Sequence, residues 1–196
     1  MISKLMLNGW FTPAKKKPAL SFWGYNPEYG PGGDITDNVG ATGRITGSAQ
    51  SDIMSISDSM NITIDAGAGD DIVTIANSSG TLFGRAGGDI IDAFHFAGTI
   101  DGGSGGDAIT MNHGSGKILA GSGDDTIVAT GYTGTVDAGV GADIVMLTDF
   151  SGTVDFGKDR HGDIVFIYGD SPNVTFKNYD PTRDILYWEG HEDVIA

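Results

Sequence analysis

The chain contains no cysteine among its 196 residues. Disulfides are therefore excluded as a staple, and a small extracellular protein of this kind needs another one; metal ions are the obvious candidate. Basic residues are scarce. Eleven lysines and arginines stand against 26 aspartates and glutamates, giving a net charge of −15 and a pI near 4.2. A polyanion of this kind does not bind nucleic acid or an anionic membrane through its general field; it stays soluble by repulsion or collects cations. Long apolar runs are missing too. No stretch approaches the roughly 20 residues needed to cross a bilayer, so no membrane span is expected. Met1 to Phe11 carry one early lysine and no sustained apolar core. They do not read as a secretory signal, and any export is expected by another route.

Glycine is in excess. Its 32 residues are about 16% of the chain, against a usual share of about 7%. A helical bundle is excluded, because each interior helical glycine costs about 1 kcal/mol. Disorder is not implied, since 39% of the residues are apolar. Collagen is excluded because glycine does not recur at every third position.

The excess is periodic. Asp71, Asp89, Asp107, Asp125 and Asp143 follow one another at 18-residue intervals. Asp34 and Asp52 extend the series backward and Asp163 extends it forward, with one and two extra residues. Glycines travel with the aspartates, as in AGAGDD at 66–71, GGSGGD at 102–107 and AGSGDD at 120–125. Nine residues after each aspartate comes a second landmark: Gly80, Gly98, Gly116, Gly134 and Gly152. Each unit is thus expected to hold two tight turns and two short strands. Aliphatic residues stand two positions after each aspartate (Val73, Ile91, Ile109, Ile127, Val145, Val165) and after each glycine (Leu82, Ile100, Ile118, Val136, Val154). Position 75 and its equivalents Ala93, Met111, Ala129, Leu147 and Ile167 continue the inward set by period-two alternation. Stacking such units predicts an all-β protein, a parallel β-roll or β-helix solenoid of 18-residue coils with short terminal caps. With strands about 4.8 Å apart, the repeats make a rod roughly 34 Å long.

The segments GGSGGDAIT at 102–110 and AGSGDDTIV at 120–128 resemble the RTX, or haemolysin-type, calcium-binding nonapeptide repeat GGxGxDxUx. Five tandem matches in fixed register carry the resemblance over about two thirds of the chain. It implies calcium at the turns, a structural role for that calcium and an apo state that is disordered. The chemistry points the same way. Glycines allow the positive φ of a tight turn and direct carbonyls inward. A hard divalent cation takes six to eight oxygens, and stacked aspartates without a cation would oppose like charges. The expected ligands are Asp71, Asp89, Asp107, Asp125 and Asp143, with Asp70 and Asp124 as extra carboxylates. The turn glycines are Gly67, Gly69, Gly87, Gly103, Gly105, Gly121, Gly123, Gly139 and Gly141. One calcium is expected between each pair of successive turns.

The sequence departs from a full RTX roll at the second half-turn, which has glycine where the family has aspartate. A calcium column along one edge only is therefore expected, with a dry glycine-serine edge opposite. Arg85 replaces a glycine and is expected to weaken the flanking sites. The turns at Asp34, Asp52 and Asp163 are irregular and stand outside the assigned column.

Three units are expected: residues 1–33 as an N-terminal cap or docking arm, 34–176 as the solenoid and 177–196 as a C-terminal cap and tail. Residues 1–30 combine four lysines with Trp10, Phe11, Trp23 and Tyr25, residue types that anchor partners. The tail EDVIA at 192–196 is similar in kind to type I secretion signals. DSPNVTF at 170–176 echoes DSMNITI at 58–64, so the last coil is expected to be a half-turn. His95 and His113 share a column, as do Phe96, Tyr132 and Phe150. The aromatic set either fills a corner or lines a sugar-binding strip. An outward threonine column (Thr81, Thr99, Thr135, Thr153), broken by Lys117, is similar to those of ice-binding solenoids. No catalytic constellation is present in the sequence. The expected function is non-enzymatic: a calcium-binding structural or adhesive component of a secreted or cell-surface assembly, joined to a partner or to itself through residues 1–30. A virion component, such as a phage tail or attachment spike, is the alternative, and a glycan- or ice-binding module a further one.

Overall fold

The computed structural model describes residues 35–191, with side chains from Asn38 onward. The proposed arm, its aromatic anchors Trp10, Phe11, Trp23 and Tyr25, the Asp34 turn and the EDVIA tail lie outside the described residues. Among the described residues there are thirteen strands and no helix. They are β1 (Ile35–Val39), β2 (Gly43–Ser48), β3 (Ile53–Ser57), β4 (Ile62–Ala68), β5 (Ile72–Ala86), β6 (Ile90–Ser104), β7 (Ala108–Ser122), β8 (Thr126–Asp137), β9 (Ile144–Thr148), β10 (Ser151–Asp155), β11 (Ile164–Tyr168), β12 (Val174–Lys177) and β13 (Ile185–Trp188).

Every pairing is parallel. One face of the rod follows the order β1-β3-β5-β6-β7-β8-β9-β11-β13; the other follows β2-β4-β5-β6-β7-β8-β10-β12. The result is a β-solenoid of about eight turns. Register repeats every 18 residues through the middle, as in Ile72↔Ile90↔Ala108↔Thr126↔Ile144. The aliphatic positions named above all point inward; Val73, Ile91, Ile109, Ile127, Leu82, Ile100, Ile118 and Val136 are at most 1% exposed. Parallel strands tolerate this only when both rows of backbone bonds and one whole face are buried, and stacked coils supply both.

Two expectations need correction. The expected half-turns do not each hold a short strand. β5, β6, β7 and β8 run unbroken through the second corner, because that corner is taken by a single left-handed residue and not by a hairpin-like turn. Nor is the segment at 170–176 the final half-turn: it forms β12 and completes the coil begun by β11, and β13 pairs with β11 as one further strand beyond it. Around these last strands Tyr179 packs on Phe156, Trp188 on Phe176, and His191 stacks on Trp188 at 3.9 Å.

The outward surfaces differ in character. The second face carries Asp65, Asp101, Lys117, Asp137 and Asp155. The first face carries three side-chain columns in which Asp92 and, beside the end of β13, Glu189 are the only charges among the described residues. Its first column, the residue after each buried aspartate, includes Ile53, Ile72, Ile90, Ile144 and Ile185, which are between 39% and 55% exposed.

Candidate metal column at the aspartate corner

The turn before each aspartate is built on glycine. All nine expected turn glycines have positive φ, from +98° at Gly139 to +148° at Gly141. A side chain is excluded there twice over. The conformation is one that L residues rarely adopt, and a Cβ on Gly121 would lie 2.1 Å from the carbonyl oxygen of Gly103 in the preceding coil. Coils therefore stack backbone to backbone at this edge.

This close stacking turns each aspartate into the corner. Asp71, Asp89, Asp107, Asp125 and Asp143 are only 1–2% exposed. Each places Oδ1 on the backbone N–H of the aspartate one coil earlier: Asp71 N–H donates to Asp89, Asp89 to Asp107, Asp107 to Asp125 and Asp125 to Asp143, at 2.7–2.8 Å. The ladder runs past the expected column. Asp52 N–H donates to Asp71 at 2.8 Å, Asp143 to Asp163 at 3.0 Å and Asp163 to Asp184 at 3.3 Å. Asp184 was not legible as a member, because its spacing of 21 residues breaks the period and its neighbours read as a cap.

The second carboxylate oxygens separate the middle of the ladder from its ends. Asp52 Oδ2 accepts from Ser48 N–H at 2.7 Å, and Asp184 Oδ2 accepts from Asp180 N–H at 2.7 Å. In between, Oδ2 of Asp71, Asp89, Asp107, Asp125 and Asp143 is buried and has no hydrogen-bond partner. Burial pushes Asp71, Asp107 and Asp125 up to about 6, and Asp143 and Asp163 up to about 7. The neighbouring carboxylates add to this, while the backbone hydrogen bond at Oδ1 opposes it. Asp89 is raised for the same leading reason.

The remaining expected residues are placed as follows. Asp70 and Asp124 are exposed, and each caps a turn N–H of the next coil, Gly88 and Ala142 respectively, at 2.9 Å. Arg85 has φ +85° and keeps its turn in register; its guanidinium turns away from the corner, lies over Phe83 and grips buried Asp65 at 2.9 and 3.0 Å. Arg44 also pairs with Asp65. The two residues inserted before Asp163 admit Asp159, whose Oδ2 accepts from Gly141 N–H at 2.6 Å.

Do these residues suit a cation? Five buried, unpartnered carboxylate oxygens in one column are a strong demand for positive charge or protons. Two levels also bring a carbonyl close. The point where a Cβ would stand on Gly84 is 2.3 Å from both Asp89 Oδ2 and Gly102 O; on Gly102 it is 2.4 Å from both Asp107 Oδ2 and Ala120 O. The expectation that turn carbonyls converge inward is not met at every oxygen. Carbonyls of Ala86, Ser104 and Ser122 point along the rod and accept N–H groups of Gly69, Gly87 and Gly105 at 2.8 Å. The column thus fits a cation in charge and in free carboxylate oxygens, and the rest of a six- to eight-oxygen shell has to come from elsewhere in the turns or from water.

Comparison of the chain with protein-family models, with curated proteins and with solved structures finds no match.

The opposite corner is not the glycine-serine edge expected. Its left-handed residues are Asp58, Asn77, His95, His113, Gly131 and Asp149, with φ between +48° and +60°. The residue after each points inward. Toward the N-terminal end these are serines, whose hydroxyls accept the N–H one coil earlier: Ser59 from Ala41 and Ser78 from Ser59, and Ser171 does the same for Phe150 in the last coils, at 2.9–3.0 Å. In the middle they are Phe96, Gly114, Tyr132 and Phe150, the three aromatic residues all at most 1% exposed. The aromatic column therefore fills the corner and offers no sugar-binding strip. Tyr132 stacks on Phe150 at 6.1 Å, and its buried hydroxyl has no partner. The His95 and His113 rings lie 5.4 Å apart. Among the described residues, no group of three or more histidine, aspartate or glutamate side chains is arranged around one point as a metal cage.

Proposed function

We propose that this protein is a non-enzymatic, calcium-stabilised β-solenoid that serves as a structural or adhesive component of an extracellular or cell-surface assembly. One observation carries the reading: the five buried Oδ2 atoms, one per coil, that no donor meets. An uncompensated buried carboxylate is costly, and a fold that repeats it five times in register needs a compensating partner. The RTX-like motif supplies the identity of that partner, since glycine-aspartate turns and oxygen-only donors suit a hard divalent ion. Asp71, Asp89, Asp107, Asp125 and Asp143 would hold it, with Asp70 and Asp124 as outer carboxylates. Calcium supplies the positive charge that cancels the column's repulsion and couples metal binding to folding. A rod with a repeated interior suits a scaffold.

Calcium titration of the chelated protein, followed by circular dichroism with magnesium as control, tests this. Gain of β-structure and a higher melting temperature with calcium, and not with magnesium, is the expected result. A fold and melting temperature indifferent to calcium overturn the reading.

A further inference from the structure

We infer that the charge-poor first face is a self-association surface, on which a second copy of this chain packs face to face with its rod antiparallel. The face spans eight rungs from β3 to β13. At about 4.8 Å per rung it is about 34 Å long, and its three outward columns are about 13 Å wide between outer Cα positions. Side-chain outlines bring the footprint to roughly 40 by 20 Å, about 800 Å² per copy, the size of a standard specific interface.

Composition sets this face apart. The chain carries a net −15, yet across these rungs the charges are only Asp92 and, at the last rung, Glu189, and the apolar side chains are large and exposed: Ile90 at 51%, Phe94 at 47%, Ile185 at 55% and Tyr187 at 42%. Exposed apolar side chains clustered among neutral polar ones mark an interaction site.

The order of residues along the rod selects the partner. A twofold axis parallel to the strands, midway between Ala108 and Thr126, sets the first rung against the eighth, the second against the seventh and so on. Those two small residues then face each other at the centre, where the sheets come closest. In the first column Ile90 meets Ile144, and Ile72 meets Ile164. In the other columns four pairs set a small residue against a large one: Ser55 faces Tyr187, Thr74 faces Phe166, Ala76 faces Tyr168 and Thr148 faces Phe94; Thr110 faces Val128 and Asn112 faces Thr130 near the centre, and the two charges, Asp92 and Glu189, face Met146 and Ser57. The registry that fixes these rungs is continuous. Large-against-small alternation is what lets two sheet faces interdigitate about 10 Å apart. The parallel alternative would stack the Phe166, Tyr168 and Tyr187 cluster on itself and leave the Ser55 and Thr74 end hollow. The inference does not depend on calcium at the corner, because the corner carboxylates point away from this face.

The test uses the full chain with calcium present. In sedimentation equilibrium at about 100 µM, where a micromolar Kd leaves mostly dimer, the expected mass is twice the 20.3 kDa of one chain. The double variant Ile90→Lys, Ile144→Lys changes only exposed positions and is expected to sediment as a monomer with unchanged circular dichroism. Cysteine cross-linking fixes the orientation and covers the case in which the lysine variant fails to fold. Ile72→Cys and Ile164→Cys are five rungs apart, about 24 Å within one copy, so a bifunctional thiol reagent with a reach of about 10 Å, the separation of the packed sheets, joins them only between copies. Mixing the two variants is expected to give a cross-linked dimer at least tenfold faster than either alone. A monomeric wild-type protein, a dimer that survives the lysine pair in folded form, or equal cross-linking of the separate variants would each overturn the proposal.

Discussion

The two corners of each coil, marked by a buried aspartate and by a left-handed residue six positions later, as in Asp71 and Asn77, solve the same geometric problem by different means. At the aspartate corner the chain turns through glycines at φ near +100° to +150° and fills the inside with carboxylates. At the opposite corner it turns through one residue at φ near +50°, and the strand is not interrupted in the four middle coils. The first corner needs backbone with no side chain. The second admits asparagine, aspartate and histidine, which reach the left-handed region at small cost. Inside, the first corner is polar at all rungs, whereas the second changes from serine at the ends to aromatic rings in the middle. Both columns of acceptors, Asp Oδ1 and Ser Oγ, meet an N–H one coil earlier. The lesson is that the backbone demand is common to both corners, and the buried charge is peculiar to one.

The strongest way to break the comparison is at glycine. Gly121→Ala places a methyl 2.1 Å from Gly103 O at φ +116° and is expected to cost roughly 3–5 kcal/mol. Gly131→Asn, at φ +60° in the other corner, meets only a movable His113 ring and is expected to cost less than about 1 kcal/mol. Urea unfolding of both variants checks the pair, and equal losses would erase the distinction drawn here.

Next in size is the carboxylate itself. Asp107→Ala strips the acceptor from Asp89 N–H and is expected to cost about 1–3 kcal/mol even without metal. Asp107→Asn keeps an acceptor and removes the charge. It is expected to match or exceed the wild type in chelator, yet to raise the calcium midpoint of folding about tenfold or more, the effect of losing one charged ligand. An Asn variant with unchanged calcium response would assign the metal elsewhere.

A third effect is the response to pH in chelator. Carboxyls raised to about 6 in Asp71, Asp107 and Asp125, and to about 7 in Asp143 and Asp163, hold their protons better folded than unfolded, where aspartate titrates near 3.9. Their stabilising contribution is complete below about pH 4 and is lost as pH rises through 6 to 7. The metal-free protein is thus expected to melt several degrees lower at pH 7.5 than at pH 4.5. Calcium should reverse the trend, since it binds the ionised form. A melting temperature that rises with pH in chelator contradicts the burial described above.

The smallest effect belongs to the aromatic corner. Tyr132→Phe removes a buried hydroxyl that has no partner and is expected to be neutral or to stabilise by about 1 kcal/mol at most. A clear loss in thermal denaturation would mean that the hydroxyl is hydrogen-bonded after all.

Much of this architecture was legible in the chain. The 18-residue period, the inward aliphatic positions and the turn glycines all follow from local rules of alternation and φ. The second corner was placed late, on Gly80 and its equivalents, when the turn residues are Asn77, His95, His113 and Gly131. No single residue type repeats there, because several side chains tolerate φ near +50°, so the period left no visible letter. Asp184 and Asp159 were missed because insertions shift them out of phase. The first face was read simply as outward; its scarcity of charge emerges only when residues 18 to 21 apart are set side by side.

The sequence alone determined that the chain would coil, which residues would enter its core and where backbone had to be bare, since each depends on a residue and its near neighbours. The tertiary structure decided which N–H each carboxylate would meet, why the second oxygen of five of them was left without one, and how charge-poor columns would align into a single face. Those outcomes depend on the register between coils, and register is fixed only when a whole turn packs on the one before it.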